Sequence, residues 1–392
     1  MASGTFTVRD QFIPFSPPNI GEEEIAEVVD TLRTDWITTG PKTRRFEQEF
    51  CEAFGCPAAL AVNSCTAGLH ISLATLGIGL GDEVITTPHT FCSTVNVIEH
   101  VGAKPILVDV LPDTLNISPS AIAAAITDRT KAIMPVHYAG HPCEMDEIQA
   151  IADRHGIHVI EDAAHPVSGK YKGRTIGSGT NPTSFSFYAT KNMTTAEGGM
   201  LTGDPDFIAR AKVVSLHGMS KDAWKRYDKA GGWWYDVILP GFKYNMTDLQ
   251  ASLGLGQLRK LSAFQARRRE IVARYHDAFG SSPFFEIPVE RPEVESSWHL
   301  YVLRLNPEAW RIDRNQFIEE LKARNIGTSV HYIPVHIHPF YAEKYGFRQM
   351  DFPVCYTNFE RMVSMPLSAK HTDEEIDYII EATLDLAERF RA

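Results

Sequence analysis

The sequence predicts an α/β protein with a large, mostly parallel sheet domain and a smaller C-terminal α+β domain. Three observations carry this. Short apolar strand patterns alternate with helical patterns through the first half of the chain, and such alternation builds a mostly parallel sheet with helices on both faces. The chain has 392 residues, enough for one large and one small domain. After residue 246 the pattern changes to one long helical stretch followed by a mixture of strand and helix.

Taken in order, residues 22–34 place Ile25, Val28, Val29 and Leu32 on one helical face. Trp36 to Pro41 breaks that helix, and a second covers 44–54 and stops at Gly55. Strands are then expected at 58–62, 83–87, 105–108, 132–136 and 158–160, with helices at 66–76, 91–101, 118–126 and 145–155. The stretch from Ser184 to Met193 begins as a strand with aromatics at period two and breaks at Lys191. Gly198-Gly199 turns the chain into another short strand at 200–202. Residues 246–279 read as helix broken near Ser262, carrying the basic run Arg267-Arg268-Arg269 out of the large domain. A strand at 298–305 and helices at 314–324 and 373–390 complete the chain. The expected division is 1–265, the large domain with an N-terminal arm, and 266–392, the small domain.

Composition narrows the function. Hydrophobic residues make up 44% and charged residues 22%, which suits a soluble globular protein with ample core. A net charge of −11 argues against nucleic acid or an anionic membrane as partner, while leaving room for a small anionic substrate in a basic pocket. The six cysteines form no CxxC pair, so neither zinc nor a disulfide framework is expected, and a reducing, cytoplasmic setting follows. Residues 1–15 lack a charged start followed by an apolar core, so no signal peptide is expected. The uncharged run over 55–81 contains Asn63, Ser64, Thr66 and His70 and reads as strand, turn and helix rather than a membrane span.

In parallel sheets ligands gather at the carboxyl ends of strands, and several such ends here carry polar groups. Lys191 ends a buried strand. It must pair with a carboxylate, reach solvent or become a neutral amine, the form that Schiff-base chemistry uses. Asn63 to Gly68 joins strand to helix, so its backbone N–H groups make an anion site suited to phosphate; simple capping by Ser64 or Thr66 is the alternative. Asp162 follows the 158–160 strand and needs a partner such as a pyridinium nitrogen, unless it caps the next turn. Phe91 opens a helix, where its ring either stacks on a flat cofactor or packs in the core. Ser186 has a hydroxyl within reach of the same phosphate. Together these groups describe a pyridoxal phosphate site.

Glu161-Asp162-Ala163-Ala164-His165, Phe185 to Asn192, Glu197-Gly198-Gly199 and Gly241 to Asp248 carry a resemblance. Over nearly its whole length the sequence resembles the DegT-type sugar aminotransferase family of fold-type-I pyridoxal phosphate enzymes. Thr38 to Lys42, Val136 to Gly140 and His165 are most similar to the branch acting on UDP-4-amino-4-deoxy-L-arabinose. The resemblance implies that Lys191 bonds the cofactor aldehyde, Asp162 holds the ring nitrogen, Phe91 stacks (where relatives carry Trp) and His165 lies near the ring hydroxyl. It also implies that Thr66, Ser186 and the backbone of Cys65 hold the phosphate, and that Asn245 reaches it from a second subunit. The last point implies a homodimer with shared active sites. Thr38, His331 and His336 would line the sugar pocket. The implied reaction moves an amino group from L-glutamate to the 4-keto carbon of a nucleotide-linked sugar, with Lys191 as base and then acid.

Other readings compete. The sugar is a pentose or a dTDP- or GDP-linked 6-deoxyhexose, and carbon 3 is an alternative position. A dehydratase branch has histidine in place of the lysine, against which Lys191 speaks. A non-catalytic cofactor-binding regulator would carry a DNA-binding segment, and neither end shows a basic helix pair. His331, His336 and His338 lack a nearby carboxylate or cysteine, so no metal is expected. Lys42, Arg226 and Lys243 are candidates for the diphosphate or simply solvated charges. Gly231 to Tyr235 is too apolar to lie bare on a monomer and suits a two-fold interface.

Overall fold

The structure, a computed structural model, describes residues 6–220 and 234–392. Its first part runs α1 (Glu22–Arg33), α2 (Pro41–Phe54), β1 (Ala59–Val62), α3 (Cys65–Thr75), β2 (Glu83–Thr86), α4 (Cys92–His100), β3 (Lys104–Leu107), α5 (Pro119–Ala125) and β4 (Thr130–Ile133). It continues with α6 (Met145–His155), β5 (His158–Val159), β6 (Glu161–Ala163), β7 (Lys170–Tyr171), β8 (Arg174–Thr175), β9 (Thr183–Ser186), β10 (Gly199–Thr202) and α7 (Pro205–Ser215). Two four-stranded sheets, ordered β3-β2-β4-β5 and β6-β9-β10-β1, meet at a parallel bridge between Val136 and Asp162. The pairs among β2 to β5 are parallel, as is β6 with β9. Strand β10 runs antiparallel to β9 and β1. The connection over residues 187–198 contains no helix, and a parallel return is usually made through one.

Aromatic packing fixes the lysine strand. Phe46, Phe50 and Phe54 recur every fourth residue along α2, all buried, and Phe185 and Phe187 meet them from the other side. Ring centroids of Phe50 lie 5.3 Å from Phe185 and 5.9 Å from Phe187. Each such burial stabilises by about 1.5–3 kcal/mol, so the strand that delivers Lys191 is anchored upstream of its polar end. Helix α2 starts at Pro41, earlier than residue 44, because Gly40-Pro41 is itself a start signal. The Asp248 carboxylate accepts from Gly40 N at 2.8 Å and Thr43 N at 2.9 Å, filling the cap position from another helix.

The second part holds α8 (Asp248–Phe279), β11 (Phe285–Glu286), β12 (Val294–Glu295), β13 (Tyr301–Leu305), α9 (Arg314–Ala323), α10 (Pro339–Tyr345), α11 (Pro353–Arg361), β14 (Met362–Met365) and α12 (Asp373–Arg389). The expected break near Ser262 is absent: α8 is continuous. Ser262 faces solvent while Leu261 and Phe264 on either side are buried, so packing overrides its weak helix propensity. Ala251, Leu255 and Leu261 join the apolar cluster under the main sheet, and Ile271, Val272, Tyr275 and Phe279 join a second with β13, β14 and α12. Strand β13 begins at Tyr301 rather than 298, because Trp298 has φ +46°, outside the extended region.

Helix α1 turns its polar side inward. Glu24 is fully buried and pairs with Lys260 at 2.5 Å, whereas Ile25, Val29 and Leu32 are exposed. Among the described residues no helix is long and apolar enough to cross a membrane.

Candidate active site

The strand ends converge on Lys191. Its Nζ lies 3.4 Å from His299 Nε2. Among the described residues no carboxylate stands within ion-pair distance of it. Burial pushes its ammonium down to about 8, against the opposing pull of Cys65 and Asp162. Asp162, on β6, is 4% exposed. Its Oδ2 accepts from Thr94 Oγ1 at 2.8 Å and its Oδ1 from Ala164 N at 3.1 Å. Burial raises its pKa, and those two donors oppose the rise.

His165 follows on the same strand end. Ala139 N donates to its Nδ1 at 3.1 Å, so the neutral ring carries its proton on Nε2. That Nε2 donates to Tyr332 Oη at 2.8 Å. Burial holds His165 well below and Tyr332 well above their ordinary values, leaving both neutral. Phe91 is 57% exposed with its ring centroid 5.9 Å from Tyr332, so it fills no core and offers a face to the cleft.

The α3 N-terminus sits beside these groups. Ser64 Oγ accepts from Ala67 N at 3.1 Å, while the first-turn N–H groups of Cys65 and Thr66 have no earlier turn to bond. A Cβ at Gly199 would lie 2.7 Å from Cys65 N, so only glycine lets β10 approach this turn. Gly199 is paired in register with Ser186, which brings that hydroxyl to the same corner. The Cys65 thiol points the other way, to Ser184 O at 3.2 Å.

Other expected residues are placed differently. His331 lines the cleft, where burial pushes it down to about 3, with Lys191 contributing; its Nδ1 bonds Ser364 Oγ at 2.8 Å. His336 does not line it. It is fully buried, with Nε2 on Gln349 O at 3.0 Å and its ring 4.8 Å from Phe352, so the expected sugar contact is corrected to a packed core histidine. Asn245 bridges to Val62 at the end of β1, and its amide donates to Thr39 Oγ1 at 2.5 Å. It connects to the α3 turn through Asn63, whose N–H bonds Tyr244 O at 2.8 Å. Thr38 is exposed nearby. Lys42 is taken up by Glu27 at 2.9 Å and Asp30 at 2.7 Å, a mostly buried, ion-paired lysine rather than a free phosphate ligand. Lys243 bonds Asn245 Oδ1 at 2.5 Å. Arg226 lies outside the described residues.

Sequence reading missed Thr94, Tyr332 and His299. Thr94 stands one helical turn after Phe91, and Tyr332 follows His331 directly; both had local signals. His299 had none.

The chain belongs to the DegT/DnrJ/EryC1/StrS aminotransferase family, whose profile it matches over residues 18–384. It is 52% identical over 376 residues to an uncharacterized protein of Methanocaldococcus jannaschii, covering 96% of this chain and 97% of that one. It is 50% identical over 380 residues to the spore coat polysaccharide biosynthesis protein SpsC of Bacillus subtilis, covering 96% and 98%. Among solved structures it is similar to Spr1654 of Streptococcus pneumoniae, described as a sugar aminotransferase and solved in PMP and PLP forms. The PMP form has a TM-score of 0.90 at 39% identity, covering 96% of this chain and 99% of that one.

Proposed function

We propose that this protein transfers the amino group of L-glutamate to the 4-keto carbon of a nucleotide-linked sugar, using pyridoxal 5′-phosphate, in the cytoplasm. The observation that carries the reading is Lys191, which among the described residues has no ion pair and lies within electrostatic reach of the buried Asp162. The donor set fits the cofactor. Cys65 N–H, Thr66 and Ser186 form a phosphate corner that a Cβ at Gly199 would fill. Asp162 has both oxygens fixed by donors and is ready to hold a cationic N–H. Phe91 offers an aromatic face beside Tyr332, which His165 holds by a hydrogen bond.

When bound, the cofactor supplies an aldehyde conjugated to an electron sink. Lys191 would hold that aldehyde through its amine. As a neutral amine Lys191 would take the α-proton of glutamate and, once protonated, act as the acid. Asp162 would keep the ring nitrogen protonated, and a neutral His165 adds no competing charge. The reading is tested by incubating the purified protein with glutamate and a panel of nucleotide 4-keto sugars. Amino sugar and 2-oxoglutarate are expected in equal amounts; no 2-oxoglutarate with any member of the panel overturns it.

The reading includes a homodimer with shared sites. The exposed Ile25, Val29, Leu32, Trp36, Trp234, Val237 and Ile238 support it, being more apolar surface than a monomer usually leaves bare. A mixed dimer of Lys191→Ala and Asn245→Asp chains contains one doubly defective and one intact site if sites are shared, so activity returns. If each chain builds its own site, the confirmed mixed dimer stays inactive.

A further inference from the structure

His299 lies 108 residues from Lys191 in sequence, yet its Nε2 is 3.4 Å from that amine. It is 3% exposed. Its protonation is fixed by a chain of bonds that ends on a backbone carbonyl. Asn192 Nδ2 lies 2.7 Å from Ser297 O, which can only accept, so the amide nitrogen must face that way. Asn192 Oδ1 therefore faces His299 Nδ1 at 3.2 Å and requires a proton there. In the neutral ring this leaves Nε2 with a lone pair, directed at Lys191 Nζ. The backbone is held too. The guanidinium of the buried Arg268 donates to Trp298 O at 3.2 Å, His299 O at 3.3 Å and Leu367 O at 3.0 Å. Trp298 keeps φ +46°, a conformation that side chains rarely adopt without such support.

We infer that His299 is a positioning residue, whose unprotonated Nε2 accepts an N–H of Lys191 and turns the amine's lone pair away from the imidazole, toward the reacting atoms. This rests on the reading of Lys191 as the reacting amine. An amine on a four-carbon stem rotates freely about its last bond, and a single fixed acceptor removes that freedom. An imidazolium, or the opposite tautomer, would instead direct a donor at Lys191 and occupy the lone pair. The other titratable groups facing Lys191 are Asp162, Cys65, His165 and His331, and both of these histidines are held neutral by burial.

The test uses the full chain in two forms. In cofactor-free protein labelled with ¹⁵N-histidine, the His299 signals, assigned by their loss in His299→Gln, are expected to show a neutral ring protonated on Nδ1. Competitive acetylation of Lys191 against pH, read by mass spectrometry, gives its midpoint in wild type, His299→Leu and His299→Gln. Loss of the acceptor withdraws a hydrogen bond from the ammonium, so the midpoint falls by about one unit in His299→Leu and stays near wild type in His299→Gln, whose amide oxygen still accepts. In the loaded enzyme kcat of His299→Leu falls by about 10- to 100-fold with KM for both substrates little changed. A ring protonated on Nε2, an imidazolium at neutral pH, or an unmoved Lys191 midpoint in His299→Leu overturns the inference. Lys191→Ala with wild-type turnover would instead overturn the assignment of Lys191, and the titration would still report whether His299 holds that amine.

Discussion

Lys191 and Arg304 are both cations drawn into the protein, and they are satisfied in opposite ways. Arg304, on β13, is 2% exposed and meets Glu286 at 2.5 Å, Pro112 O at 2.7 Å and Asn358 Oδ1 at 3.2 Å. Burial draws its pKa down and Glu286 draws it back. Among the described residues Lys191 has one neutral imidazole and no ion pair, and its ammonium is pushed down to about 8. A buried cation with a full set of acceptors can stay charged inside the fold. One without them is costly to keep charged and is available as an amine.

The comparison breaks most visibly at Lys191. Lys191→Met is expected to lose at least about 10³-fold in turnover, while making the cofactor-free protein more stable. The sign follows from its pKa, lower in the folded chain, about 8, than the ordinary 10.5. The unfolded chain then binds more protons between these values, so wild-type stability rises with pH through that window. The advantage of methionine, up to about 3 kcal/mol, is full below pH 8 and disappears above 10.5. Urea melts of both proteins at pH 7 and pH 10 measure it, and equal stabilities at pH 7 would contradict the contrast. Asp162→Asn comes next. It is expected to retain cofactor absorbance and lose about 10²-fold in kcat; near-normal turnover would mean that another carboxylate holds the ring. Arg304→Met has the smallest and opposite effect. It should cost about 2 kcal/mol, since Glu286 is 41% exposed in its side chain and can return to water. Activity per folded molecule should be unchanged, and a drop in kcat at full folding would show that the two cations are not separable.

The site's near neighbours in sequence were legible, and its distant ones were not. Asp162, Ser186 and Lys191 lie at strand ends where period and burial point to them, whereas His165 was expected only from the resemblance. Thr94 reaches Asp162 across 68 residues and His299 reaches Lys191 across 108; only the sheet order brings them together. His336 shows the converse. The resemblance implies that it lines the sugar pocket, but the Val335–Ile337 turn directs it into the core against Phe352. For the fold, amphipathic helices such as α6 and α12 were found within a residue or two of their ends. The expected break at Ser262 failed because buried neighbours on the same helix outweigh one polar residue.

Helix α8 has a mechanical consequence. At 32 residues it extends about 48 Å, and its two ends are seated in different apolar clusters. Loss of its middle turns would expose Leu261 and Phe264 on one side and Ile271 and Val272 on the other, so neither cluster can open far without drawing on the other through the helix. The rod therefore ties both cores into one cooperative melting unit. His299, packed against the second half of that rod through Arg268, keeps its alignment with Lys191 as long as the unit stays closed.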